Sequence, residues 1–130
     1  MQTTEFIQTV RERADYADDD QARGAAQATL TTLGQMNLKG EIDNTADQLP
    51  REMAELLFNA DAEPEKYSAA QFVERVRAAL ELNSTEDAAN AVRAVLSTLA
   101  DALTPGQMGD LMGQLPDQYA AFMRNKTPEL

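Results

Sequence analysis

Ala22-Arg23-Gly24-Ala25-Ala26-Gln27-Ala28-Thr29-Leu30-Thr31-Thr32-Leu33 is answered 66 residues later by Ala88-Ala89-Asn90-Ala91-Val92-Arg93-Ala94-Val95-Leu96-Ser97-Thr98-Leu99. In the first copy Ala22, Ala25, Ala26, Thr29, Leu30 and Leu33 recur every three or four residues, and in the second Ala88, Ala91, Val92, Val95, Leu96 and Leu99 do the same. That spacing draws one stripe along an α-helix, because residues three and four apart share a face. Small residues on the stripe let two helix backbones approach closely. The stretch therefore predicts a long helix, used twice.

Working outward, the same offset matches Phe6 with Phe72 through Asn59 with Asn125 without a gap. Identities run along the whole unit, from Val10/Val76 and Arg11/Arg77 to Gly40/Gly106, Gln48/Gln114, Leu49/Leu115, Pro50/Pro116 and Ala54/Ala120. A repeat of this kind is read before any finer pattern, since it sets the architecture. Each unit divides into four helices. The first carries Phe6, Ile7, Val10 and Ala14, mirrored by Phe72, Val73, Val76 and Leu80, and Ser68 with Gln71 forms a capping box at its second start. The long helix follows, its first turn acidic in both copies (Asp18 to Asp20; Glu86 and Asp87), which complements the positive end of the helix dipole. A shorter third helix follows Gly40 in one copy and Thr104-Pro105-Gly106-Gln107 in the other, where Thr104 caps and Gln107 is expected to close a box. Proline lacks an N–H and disfavours helical geometry in the residue before it, so Leu49-Pro50 and Leu115-Pro116 are expected corners before a fourth helix. That helix packs through Met53, Leu56 and Leu57, and through Tyr119, Phe122 and Met123. The expected fold is all-α: a single domain over 1–130 made of two pseudo-symmetric repeats, 4–59 and 68–125, joined by a polar linker at 60–67 and packed into one bundle. About 60 residues of aliphatic helix bury only a marginal core alone, so the halves need each other.

Composition narrows the chemistry. Aromatic residues make up 5% of the 130, so the core is aliphatic, and no cysteine or histidine is present. Disulfides, thiol nucleophiles, zinc–thiolate sites and the commonest general base are thereby excluded. No phosphate loop or nucleophile motif occurs, and no cofactor is expected. No segment offers the roughly 18 apolar residues of a membrane span, and the N-terminus lacks the basic and apolar regions of a secretion signal, so the expectation is a soluble cytoplasmic protein off the membrane. A net charge of −11 repels phosphate backbones, which argues against nucleic acid and for a basic protein partner. Only three of the eleven cationic residues are lysines, and that bias with many carboxylates is compatible with life at high salt.

Phe-x-x-x-Val-Arg at the start of each unit, Ala28-Thr29-Leu30-Thr31-Thr32-Leu33-Gly34, and Asp47-Gln48-Leu49-Pro50 together resemble the domain-of-unknown-function family 2267. The second copy is similar to that family's second half through Phe72-Val73-Glu74-Arg75-Val76, Ala94-Val95-Leu96 and Gln114-Leu115-Pro116. The resemblance spans nearly the whole chain and implies a small helical prokaryotic protein, with no catalytic residue or cofactor to carry over.

Six residues are the candidate contacts. Gln48 and Gln114 stand at matching corners, either as paired ligands across the two halves or as partners for backbone groups freed at the helix break. Arg11 and Arg77 either hold a shared anion or lay their stems on the core and pair with a carboxylate. Met108 and Met112, with Met123, enrich the second half in flexible thioethers that suit a partner groove or an irregular core. Asp18 to Asp20 offers oxygen ligands to a hard cation, but without the spacing of a calcium loop it reads first as a solvated helix cap. The leading expectation is a non-enzymatic interaction or stress-related module with an apolar groove rimmed by carboxylates. Its alternative is a small-molecule or metal site between the repeats. The oligomeric state is not encoded in any pattern here.

Overall fold

Local signals set the helix boundaries in a computed structural model of the chain, which describes residues 1–36, 38, 40–58 and 66–128. Helix α1 runs Thr3–Ala14 and α2 runs Asp19–Gln35. Between them Asp15 turns left-handed at φ 59°, its N–H reaching Glu12 O while Tyr16 N–H reaches Arg11 O, so the last carbonyls of α1 are met by its own returning chain. Asp18 then caps α2 by accepting from Gln21 N–H at 2.9 Å. The second copy uses the same devices for α5 (Ala69–Ala79) and α6 (Thr85–Ala102). Glu81 is left-handed at φ 54°, Leu82 N–H reaches Arg77 O, and Ser84 caps α6 through Asp87 N–H. Ser68 and Gln71 close the expected capping box on α5.

The short helices are α3 (Glu41–Ala46), α4 (Arg51–Phe58), α7 (Pro105–Met112) and α8 (Tyr119–Met123). Gly40 enters α3 at φ 88°, a conformation costly for any residue with a Cβ. α4 starts directly after Pro50, whereas two turn residues separate Pro116 from α8, held by Tyr119 N–H to Pro116 O and Ala120 N–H to Asp117 O. Thr104 caps α7 as expected, but Gln107 does not close the box. Its amide turns inward, donating to Glu41 Oε2 at 3.0 Å and Thr45 Oγ1 at 3.3 Å on α3, because burial against the other half offers stronger acceptors than the exposed cap.

Among the described residues there are eight helices and no strand, an all-α fold. α2 and α6 lie at the centre against each other. α1 packs on both of them, and so does α5. α4 covers α2, α8 covers α6, and α3 meets α7. Residues from both ends of the chain, Phe6 to Leu57 and Tyr67 to Met123, form one contiguous apolar core. The expected linker 60–67 lies outside the described residues from 60 to 65. Tyr67, at its end, is buried, and its carbonyl accepts from Tyr119 Oη at 2.7 Å.

That buried phenol has a pH consequence. Burial pushes Tyr119 up from an ordinary pKa near 10, so the folded chain holds this proton more tightly than the unfolded one. The contribution is complete below the unfolded value and is lost as pH rises above it, at up to ~1.4 kcal/mol per pH unit. Urea melts between about pH 8 and 11 should show stability falling above pH ~10. Tyr119→Phe, which removes the donated hydrogen bond at a cost of about 1 kcal/mol near neutrality, should fall less steeply. Equal slopes would mean another group governs alkaline unfolding.

Candidate functional site

The six residues singled out from the sequence sit in separate places. Arg11 folds over the end of α1, donating to Ala17 O at 2.8 Å and pairing with Asp19 at 3.3 Å. Arg77 does the same at the end of α5, donating to Leu82 O at 3.0 Å and forking onto Glu74 at 2.6 and 2.8 Å. The bond from Arg77 holds the Glu74 carboxyl below its usual range. Gln48 Oε1 accepts from Thr104 N–H at 2.8 Å, so the first corner braces the entry to α7. Gln114 Oε1 accepts from Lys66 Nζ at 3.2 Å. Met108 and Met112 are half-buried against the core. Among the described residues no hydrogen bond or ion pair joins any two of Arg11, Arg77, Gln48 and Gln114.

A polar cluster that no motif announced lies at the seam between α1 and α6. Two carbonyls at the end of α1 are unsatisfied within the helix, and α6 supplies their donors: Arg93 Nη2 reaches Arg13 O at 2.8 Å and Asn90 Nδ2 reaches Ala14 O at 2.9 Å. The same guanidinium also donates to the side-chain oxygens of Asn90 and Asn125. Arg13 answers by donating to Ser97 Oγ at 3.0 Å and pairing with Asp101. A cation at the negative end of a helix is favoured by the dipole, and the pairings close this seam. Tyr16 lies beside it. Burial, then the Asp87 carboxylate, raise its pKa against the opposing pull of Arg93.

The counterpart seam, between α5 and α2, is built from the positions 66 residues away and is open. Asn90 becomes Gly24, Arg93 becomes Gln27, Arg13 becomes Ala79 and Asp101 becomes Gln35. Large hydrogen-bonding side chains are thus replaced by short or neutral ones, and a cleft of about 550 Å³ lies between Gly24, Gln27, Thr31 and Gln35 on one side and Ala79 and Leu80 on the other. Neither the Ala79 nor the Leu80 carbonyl accepts a hydrogen bond from a described side chain or loop N–H. Arg75 also borders the cleft, with its guanidinium carbon 4.0 Å from the centre of the Tyr67 ring. A second cleft of about 410 Å³ adjoins at Gly24 and Leu80 and continues past Tyr16 and Leu82 to Asp18 and Asp20. Together they form a groove along α2 whose charged lining is Arg75 in the first cleft and Asp18 and Asp20 in the second. Among the described residues no three acidic groups gather closely enough to hold a metal ion. The signal that could have revealed this site is subtraction of the two copies: where the long helices differ in size and polarity, the seams differ.

The fold, helical throughout the described residues with a sealed seam and an open one, defines a class of small all-helical protein, and no described helix is long and apolar enough to cross a membrane. Within that class the chain belongs to the family described as uncharacterized conserved protein DUF2267, whose model matches residues 3–129. None of the curated proteins matches it.

Proposed function

We propose that the chain is a non-enzymatic interaction module, a single domain of two related halves (4–59 and 68–125) arranged about a pseudo-twofold axis, with its docking surface on the α2–α5 side. Support for the arrangement comes from the repeated helix pairings and from Glu41 and Gln107, equivalent positions that touch each other as residues near such an axis would. The observation that carries the function is the contrast between the open groove and the sealed seam: the α1–α6 pair carries a closing network and the α5–α2 pair lacks it. A cytoplasmic location and a basic partner go with the acidic balance of the chain.

A photo-crosslinking residue installed at Gln27, compared with one at Glu12 on the opposite seam, tests this in the native host. Gln27 should yield one defined adduct, competed away by unlabelled protein, and Glu12 should not. Equal patterns from both positions, or none from Gln27, would reject the docking surface. The alternative, a small-molecule site between the halves, draws on the same cleft, whose volume falls within the ~300–1,000 Å³ of ligand pockets. Its continuation into a second cleft favours a chain segment over a compact molecule.

A further inference from the structure

We infer that the α2–α5 groove receives an arginine side chain presented by a partner protein, on the template of the arginine that fills the equivalent seam within the chain itself. The inference rests on the docking reading above and names the chemistry of its occupant. On the sealed side, the space between the end of α1 and the face of α6 is taken by the Arg93 guanidinium, which donates to the Arg13 carbonyl, and by the Asn90 amide, which donates to the Ala14 carbonyl. On the open side the corresponding carbonyls belong to Ala79 and Leu80, the last residue of α5 and its cap, at the negative end of that helix. Among the described residues no side chain donates to these carbonyls as Arg93 and Asn90 do on the sealed side: Gln27 stands for Arg93 and Gly24 for Asn90. Thr31 and Gln35, at the positions of Ser97 and Asp101 that hold Arg13 on the sealed side, add oxygen acceptors to the cleft lining.

A planar guanidinium with five donors matches acceptors spread over two helices better than an ammonium, whose three donors radiate from one point. Arg75, the one charged side chain among the described residues lining the α2–α5 cleft, is stacked on Tyr67, and Asp18 and Asp20, which line the adjoining cleft, favour a cationic occupant there. The adjoining cleft between Tyr16, Leu82 and Gly24 lies where the residues flanking such an arginine would run, so the occupant is a peptide segment and not free arginine.

The test uses the full chain, labelled with ¹⁵N, titrated with the capped pentapeptide Gly-Ala-Arg-Ala-Gly, its lysine and citrulline counterparts, and N-acetylarginine amide. The arginine peptide should move the Gly24, Gln27, Thr31 and Leu80 amides saturably. Lysine should bind at least several-fold more weakly and citrulline about tenfold. The double variant Gly24→Asn with Gln27→Arg, which carries the sealing residues into the groove, should lose at least tenfold in affinity. Asparagine has room, since a Cβ at Gly24 would meet only Leu80 Cδ2 at 3.7 Å, and Gln27→Arg alone serves if the pair does not fold. Equal shifts from the arginine and lysine peptides, shifts spread over the acidic surface, or no saturable shift would overturn the assignment. Binding of N-acetylarginine amide as tight as that of the peptide would overturn the peptide occupant in favour of a small guanidinium ligand. If Gln27 still crosslinks a defined partner while the arginine peptide fails, only the guanidinium assignment falls; if both fail, the docking reading falls with it.

Discussion

Phe72→Ala should lower the folding free energy by about 3–5 kcal/mol and leave a single unfolding transition at a melting temperature ~15 °C lower. The ring is fully buried and meets Tyr119 edge-on, with centroids 5.5 Å apart and planes at 87°. Alanine removes the transfer energy of the ring, leaves a cavity in a close-packed interior, and breaks an aromatic contact of about 0.5–1.5 kcal/mol. Tyr119 is tied to Tyr67 and packs next to the central helix α6, so it cannot relax far into the hole. The shape of the melt matters as much as the midpoint. Because apolar residues of both halves share one contiguous core, the loss at Phe72 should be felt by the whole chain, and circular dichroism and tyrosine fluorescence should coincide. Two separated transitions, with the first half surviving, would mean that the repeats fold as independent domains. Phe6→Ala, the equivalent change in the first half, should cost a similar amount.

Gly34→Ala should destabilise by about 1–3 kcal/mol, the usual range for overpacking a core, although alanine is the better helix former by ~1 kcal/mol. A Cβ at this position would lie 2.1 Å from Leu57 O, 2.8 Å from its carbonyl carbon and 3.0 Å from its Cα. The obstacle is backbone, so no rotamer change relieves it, and α4 has to move away from α2. Gly24→Ala in the same helix is the internal comparison. Nothing there comes closer than 3.7 Å, and the change should stabilise by about 0.5–1 kcal/mol through helix propensity alone. Chemical denaturation of both variants separates the readings. Like-signed shifts would show that the contact at Leu57 is not tight.

How far the letters carried the fold is visible at individual residues. Phe6, Val10, Leu30, Leu33, Phe72, Leu96 and Leu99 were legible as core because helical period marks a buried face wherever that face goes. Ser68, Thr104 and the acidic start of α2 were legible as helix starts because capping acts within one turn of chain. The Leu-Pro corners were legible for the same reason. Gln107 shows where local reasoning stops: three residues after a threonine it looks like the partner of a capping box, and only the arrival of Glu41 and Thr45 from the other half turns it inward.

The candidate contacts divide in the same way. Arg11 and Arg77 were recognisable as a pair, and each donates to a carbonyl of the loop that ends its own helix, a local task. Arg13, Asn90, Arg93 and Asp101 carry no local signal, because each looks like an ordinary exposed polar residue until the end of α1 is set against α6. What the sequence determined by itself was the helical content, the repeat and the identity of the buried stripes, since those follow from periodicity and caps within a few residues. Which helix ends meet which faces was decided by the tertiary structure alone, because hydrogen bonds between distant positions depend on how the two halves come together. That packing turns the substitution of Gly24 and Gln27 for Asn90 and Arg93 into an open groove.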